Sequence, residues 1–122
     1  MPGKTTIINS FKHALSGVGF AFINNRNMQI HIIAALLVLF MSWYFKIQRG
    51  EFLALVVMMV LVMSAEMINT AIEEMTNLIT TEHRKEAKIA KDVSAGMVLI
   101  VSLGAAVIGI YILAPYFLKF LY

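Results

Sequence analysis

Hydrophobic and polar positions change rhythm along this chain in a way that marks out its elements. From Thr5 to Phe22 apolar residues return at three- and four-residue steps, at Ile7, Ile8, Phe11, Leu15, Val18 and Phe22. Lys12, His13 and Ser16 fall mostly on the other side, with Lys4 and Asn9, which predicts an amphipathic helix lying in a membrane interface. Gly17 and Gly19 loosen it locally and permit a bend or close packing. The polar run Asn24-Asn25-Arg26-Asn27 predicts a turn, with Asn27 as the N-cap of the next helix. Three long apolar runs follow. They predict spans at about residues 29–47, 52–79 and 90–118, behind an interfacial helix at about 5–24 and a frayed tail at Met1–Lys4. The fold class is therefore an all-α membrane protein.

The connections are short. Lys46-Ile47-Gln48-Arg49-Gly50-Glu51 predicts a tight turn at Gly50, and the chain turns polar again at Thr80-Thr81-Glu82-His83-Arg84-Lys85-Glu86. Pro115 is expected to end or kink the last helix. Ser94, Gly96, Ser102, Gly104 and Gly109 suit close helix–helix contact in lipid. Trp43, Tyr44 and Phe45, with Tyr116, Phe117 and Tyr122, read as aromatic anchors at the interface. His31, at the entrance of the first span, reads as a headgroup-level polar residue, since no His or Cys partner stands at ligand spacing.

The apolar pattern leaves a stripe to explain. Glu66, Asn69 and Glu73 recur at i, i+3 and i+7, on one face of the second span, while Met67, Ile68, Ala71, Ile72 and Met75 fill the circumference. A carboxylate inside a span is unfavourable by roughly 3 kcal/mol or more unless paired, protonated or facing water. A single polar group there reads as a hydrogen-bonding seam. Two carboxylates and an amide on one face point to function.

Composition narrows the classes. The 122 residues leave room for one domain, and 60% of them are hydrophobic, far above a soluble globular protein. The absence of cysteine excludes a disulfide framework and thiolate chemistry. A formal charge of +3, dispersed along the chain, does not make a nucleic-acid surface. No signal-peptide pattern precedes the first span, so insertion is expected to use the spans themselves. Of the ten basic residues, Lys4, Lys12, Arg26, Arg84, Lys85, Lys88 and Lys91 lie on one side, and Lys46, Arg49 and Lys119 on the other, seven against three. The N-terminus and second loop are then cytoplasmic and the C-terminus outside, which places the stripe within reach of soluble nucleotides.

The chemistry open to these residues is phosphoryl transfer. A carboxylate can take the proton of a hydroxyl, and a second one a turn or two away can hold magnesium together with phosphate oxygens. A lysine near those oxygens offsets charge on the transferred group, and Lys91-Asp92 opens the next span after the charged loop. The chain has neither a Walker-type nor a protein-kinase glycine loop. Charge alone also fits a small multi-span subunit whose loop ion pairs set assembly.

Glu66-Met67-Ile68-Asn69-Thr70-Ala71-Ile72-Glu73 resembles the E-x-x-N-[ST]-A-I-E signature of the small integral-membrane bacterial lipid kinases, the prokaryotic diacylglycerol kinase and undecaprenol kinase family. Ala90-Lys91-Asp92, with Ala95 and Val98-Leu99-Ile100, is similar to that family's A-K-D block opening the third span, and the resemblance covers nearly the whole chain. It implies a lipid kinase of the bacterial cytoplasmic membrane that uses ATP and magnesium. Glu66 would be the general base toward the lipid hydroxyl, and Glu73 would bind magnesium. Asn69 would orient these groups or the substrate. Lys91 and Asp92 would contact the nucleotide phosphates, and Glu82, His83 and Arg84 align with a loop that touches the nucleotide. The resemblance also implies a homotrimer with composite sites between subunits.

The segment before the first span departs from the family. Its Gram-positive members resemble T-E-R-N-F-R-I-H there, against Asn24-Asn25-Arg26-Asn27-Met28-Gln29-Ile30-His31 here. The family's second metal-binding glutamate falls on Asn25, whose amide oxygen can coordinate magnesium without supplying charge. Thr6 and His13 stand where better-known diacylglycerol kinases carry an arginine and an aromatic at the nucleotide site. Arg26-Asn27 with Ile30-His31 looks more like the undecaprenol kinases, which puts undecaprenol ahead of diacylglycerol as substrate. The second reading, motivated by Asn25, is a catalytically impaired member that keeps the membrane scaffold.

Overall fold

A computed structural model describes residues 6–122, so the expected tail at Met1–Lys4, and Thr5, lie outside the described residues. Four helices account for nearly all of the described chain: α1 (Ile7–Asn24), α2 (Arg26–Phe45), α3 (Arg49–Ile79) and α4 (Lys85–Leu121). No strand occurs among the described residues.

Local chemistry sets the boundaries. Thr6 caps α1, its Oγ1 accepting from the Asn9 N–H at 3.3 Å. Between α1 and α2 only Asn25 leaves helical geometry, and it serves both ends. Its N–H donates to the Ala21 carbonyl at 3.0 Å, and its Oδ1 accepts from the Met28 N–H at 3.2 Å. The N-cap is therefore Asn25 rather than Asn27, because Asn25 holds the extended backbone a cap needs while Asn27 is already inside α2. The α2–α3 reversal falls on Lys46 in the left-handed region, at φ 50° and ψ 53°. Gly50, expected to make that turn, lies inside α3. The α3–α4 loop covers only residues 80–84, so Lys85 to Asp92, read as loop and span opening, form the first turns of α4. Pro115 does not end α4, which continues to Leu121. In apolar surroundings the remaining backbone groups stay satisfied by continuing the helix across a proline.

α2, α3 and α4 are each long and apolar enough to cross a membrane. At 1.5 Å per residue α3 and α4 are about 46 and 55 Å long, longer than a hydrocarbon core of about 30 Å. Their polar ends therefore project beyond it. Leu55, Ile112 and Leu113 form the buried centre of the α3–α4 contact, with Val38, Met41 and Ile108 packed against them. Of the α4 glycines only Gly104 abuts a neighbour, with Met58 Cε 3.9 Å from where a Cβ would stand, while Gly96 and Gly109 face open space. Gly17 and Gly19 leave α1 continuous and meet nothing nearby.

The two ends of the bundle differ. At one, Phe45 packs with Tyr116, Phe117 and Phe120, and the Tyr116 hydroxyl donates to Glu51 Oε1 at 2.6 Å, joining α4 to α3. Of the expected aromatic anchors, Tyr44, Phe45, Tyr116 and Phe117 join Phe120 in one cluster, whereas Tyr122 is fully exposed. The other end brings together the start of α2, the last half of α3 and the start of α4. Every long-range polar contact of the stripe is made there.

Candidate active site

α3 carries the stripe because its polar residues keep to one side of a long apolar helix. Glu66, Asn69 and Glu73 share that face with Thr70 and Asn77, which extend it at four-residue steps. Glu66 is wholly buried, at 0% exposure. Its Oε2 accepts from Asn25 Nδ2 at 3.0 Å. The same Nδ2 lies 2.8 Å from Thr70 Oγ1, whose hydroxyl donates to the Glu66 carbonyl at 2.9 Å. The orientation of the Asn25 amide is fixed on chemical grounds, because its oxygen must face the Met28 N–H and its nitrogen the carboxylate.

Glu66 Oε1 stands differently. It lies 3.2 Å from His31 Nε2, yet the ring is not aligned for a hydrogen bond, and Oε1 is buried without a hydrogen-bond partner. The short approach is an ion-pair distance. The alignment, which decides whether the oxygen is satisfied, leaves it open.

A second network lies one turn further along. Ser94 Oγ donates to Asn69 Oδ1 at 2.7 Å, in a buried contact that ties α4 to α3. Asn69 Nδ2 then faces Glu73 Oε1 at 3.4 Å, a long and weak bond. Lys91 Nζ donates to Asn77 Oδ1 at 2.8 Å, which sets its ammonium one turn past Glu73. Glu73 itself is exposed.

Magnesium fits Glu73. Magnesium is commonly held by one or two carboxylates plus phosphate oxygens and water rather than by an all-protein cage. Among the described residues no group of three or more His, Cys, Asp or Glu forms such a cage, and the exposed Glu73 carboxylate has only the weak Asn69 bond to give up. Asn25, offered by the sequence as the second ligand, is tied to Glu66, Thr70 and the α2 N-terminus. In this arrangement Asn25 serves Glu66.

The remaining site candidates are not drawn into these networks. Asp92 is paired with Lys88, and Glu82 with Arg84 at 3.1 Å. His83 is exposed on the loop and His13 is exposed on α1. Thr76, Thr80, Glu82 and Arg84 line a recess of about 600 Å³ between the end of α3 and the start of α4. A larger apolar groove, about 690 Å³, runs between α2, α3 and α4 from His31 past Val38 and Met59 to Phe117. His31 and Ser102 are its polar lining residues.

Sequence reasoning missed His31, Thr70, Asn77 and Ser94 as members of the site. Depth held a usable signal for His31: consecutive spans run in opposite directions, which places the first turns of α2 level with the end of the apolar part of α3. Thr70 and Asn77 were legible as further members of the same four-residue rows.

The fold and site define a multi-pass helical membrane protein with a buried carboxylate beside His31, a residue that lines an apolar groove. The family model for prokaryotic diacylglycerol kinase matches residues 12–113, and the chain belongs to that family. Among curated relatives it is 35% identical over 106 residues to an undecaprenol kinase of Bacillus subtilis, covering 87% of this chain and 86% of the relative. It is 34% identical over 110 residues to a diacylglycerol kinase of Synechocystis sp., covering 89% of this chain but 63% of that longer relative. A diacylglycerol kinase of Haemophilus influenzae is 29% identical over 98 residues, covering 80% of this chain and 83% of the relative.

Proposed function

We propose that the protein transfers the γ-phosphoryl group of ATP to the hydroxyl of a membrane lipid alcohol, undecaprenol ahead of diacylglycerol. The observation that carries this reading is Glu66. It is fully buried, held through one oxygen, and has the other unpartnered beside His31, which lines an apolar groove. A hydrocarbon chain in the groove brings its terminal hydroxyl to Oε1. Glu66 accepts the hydroxyl proton as the oxygen attacks the γ-phosphorus, and the bond from that phosphorus to the bridging oxygen breaks to release ADP. Glu73 would hold the magnesium that accompanies ATP, and the ion would supply positive charge to offset that of the phosphates.

The other residues bind and orient. Asn69, fixed by Ser94, points its amide at Glu73 and orients that carboxylate. Lys91, held toward α3 by Asn77, is placed for the phosphates, with Asp92 beside it. Glu82, His83 and Arg84 act on the nucleotide from the loop, and the recess lined by Glu82 and Arg84 supports that role. His13 contributes to the nucleotide site from α1. In a homotrimer with composite sites, the exposed Glu73 would meet groups of a neighbouring subunit. The setting is the bacterial cytoplasmic membrane, with the N-terminus and the α3–α4 loop cytoplasmic and the C-terminus outside, as the seven-against-three distribution of basic residues supports. Undecaprenol leads because Arg26-Asn27 with Ile30-His31 resembles the undecaprenol kinases, and because a relative of that name is matched over most of its length.

Metal removal tests the reading. Protein in detergent micelles with ATP and undecaprenol, stripped with a chelator, is expected to form no phosphorylated lipid, and added magnesium is expected to restore it. Turnover unaffected by the chelator would remove Glu73 and magnesium from the reaction.

A further inference from the structure

His31 meets Glu66 at a point where each side chain has a hydrogen-bonding capacity left over. Glu66 Oε1 is buried and accepts no hydrogen bond. His31 Nε2 is 3.2 Å away, the His31 side chain is 25% exposed, and the same residue lines one end of the apolar groove. Nε2 carries its hydrogen, since a lone pair only 3.2 Å from a carboxylate oxygen would be repelled by it. The two groups are close without being aligned, and it is His31 that borders the groove. Once a turn of the partly exposed His31 ring makes room beside the closed-off Oε1, a hydroxyl oxygen at about 2.8 Å from both would close a triangle on a base near the observed 3.2 Å, an ordinary hydrogen-bond distance on each side. In that place the hydroxyl accepts from Nε2 and donates to Oε1, so the buried oxygen is satisfied only when the alcohol is present.

We infer that His31 is a substrate-contacting residue of the phosphoryl transfer, holding the lipid hydroxyl by Nε2–H so that its proton lies on Glu66 Oε1. This rests on the lipid-kinase reading. His31 keeps its own proton throughout: the O–H bond breaks toward Glu66, the freed oxygen forms the bond to the γ-phosphorus, and ADP leaves. Asn25 holds Oε2 so that Oε1 faces His31. The two oxygens of Glu66 thus have separate duties, one anchored and one reactive.

The test uses the full chain in lipid, with His31→Leu, which keeps bulk and loses the donor, and His31→Gln, whose amide can place an N–H near Nε2. Initial rates with undecaprenol and ATP are read as kcat and as separate KM values for lipid and nucleotide. Binding of a radiolabelled short prenol without ATP gives a readout independent of turnover. His31→Leu is expected to lose at least tenfold in kcat/KM for the lipid and to bind the prenol more weakly, with KM for ATP unchanged. His31→Gln should recover much of both. Should either variant fold poorly, His31→Ala with added imidazole replaces it, and rescue of lipid turnover by imidazole is the expected result. Wild-type values for His31→Leu, or His31→Gln no better than His31→Leu in well-folded protein, overturn the assignment; so does His31→Ala that imidazole does not rescue. An inactive wild type under the same conditions overturns the lipid-kinase reading itself, and this inference with it.

Discussion

Glu66→Gln is expected to lower turnover of the lipid alcohol by roughly a hundredfold or more, the usual scale for removing a general base. The substitution keeps the shape of the side chain. The glutamine oxygen can still accept from Asn25 Nδ2, so the junction between α1, α2 and α3 should hold. What disappears is the basic oxygen beside His31. KM for ATP and the magnesium requirement should therefore stay close to wild type, and size-exclusion chromatography in detergent should show the same assembly. Wild-type rates in Glu66→Gln would remove this residue from the base role.

Glu73→Gln is expected to fail in another way. Glu73 is exposed, one turn beyond the buried network, and bonded only weakly by Asn69 at 3.4 Å. Replacing its carboxylate by an amide keeps an oxygen and removes the charge. Changes in the shell around a metal ligand already weaken binding by about 10–100-fold, and loss of the charged ligand should weaken it at least that much. The magnesium concentration for half-maximal rate should rise accordingly, while saturating magnesium recovers part of kcat. A magnesium dependence identical to wild type would show that the ion sits elsewhere. The contrast between the variants matters more than either alone: Glu66→Gln should not be rescued by magnesium, and Glu73→Gln should be, in part.

The stripe itself was legible in the sequence because periodicity reports which residues of one helix share a face, and Glu66, Asn69 and Glu73 needed nothing more. The spans were legible for a similar reason, since long apolar runs have few alternatives. What faces the stripe was not legible. Asn25 and Glu66 are separated by 41 residues, Asn25 and Thr70 by 45, and Asn69 and Ser94 by 25, and no periodicity within one helix reports a partner on another. His31 looked like a headgroup residue because its own helix gives it no partner, whereas the structure puts it against Glu66. Asn25 looked like a weakened metal ligand because only its position was compared. The direction of its amide, oxygen to the α2 N-terminus and nitrogen to Glu66, exists only once α1, α2 and α3 meet. The Lys46 turn was missed because a left-handed residue without glycine is uncommon, and Gly50 nearby drew the expectation. Pro115, expected to end or kink α4, does not end it, because in apolar surroundings a helix cannot stop by bonding its backbone to solvent.

Asn25, which motivates the reading of an impaired scaffold, also fits the active one. An amide donating to Oε2 anchors a buried carboxylate without adding a second negative charge beside it, so its presence is compatible with a working base.

The measurement that tests the central claim most directly is phosphate transfer from radiolabelled ATP, with undecaprenol and diacylglycerol offered side by side to the folded protein in magnesium-containing mixed micelles. Labelled undecaprenyl phosphate is expected to form fastest, with phosphatidic acid formed more slowly, and Glu66→Gln is expected to form neither above background. Labelling of neither lipid by well-folded wild-type protein would contradict the account and leave the membrane scaffold as the surviving reading.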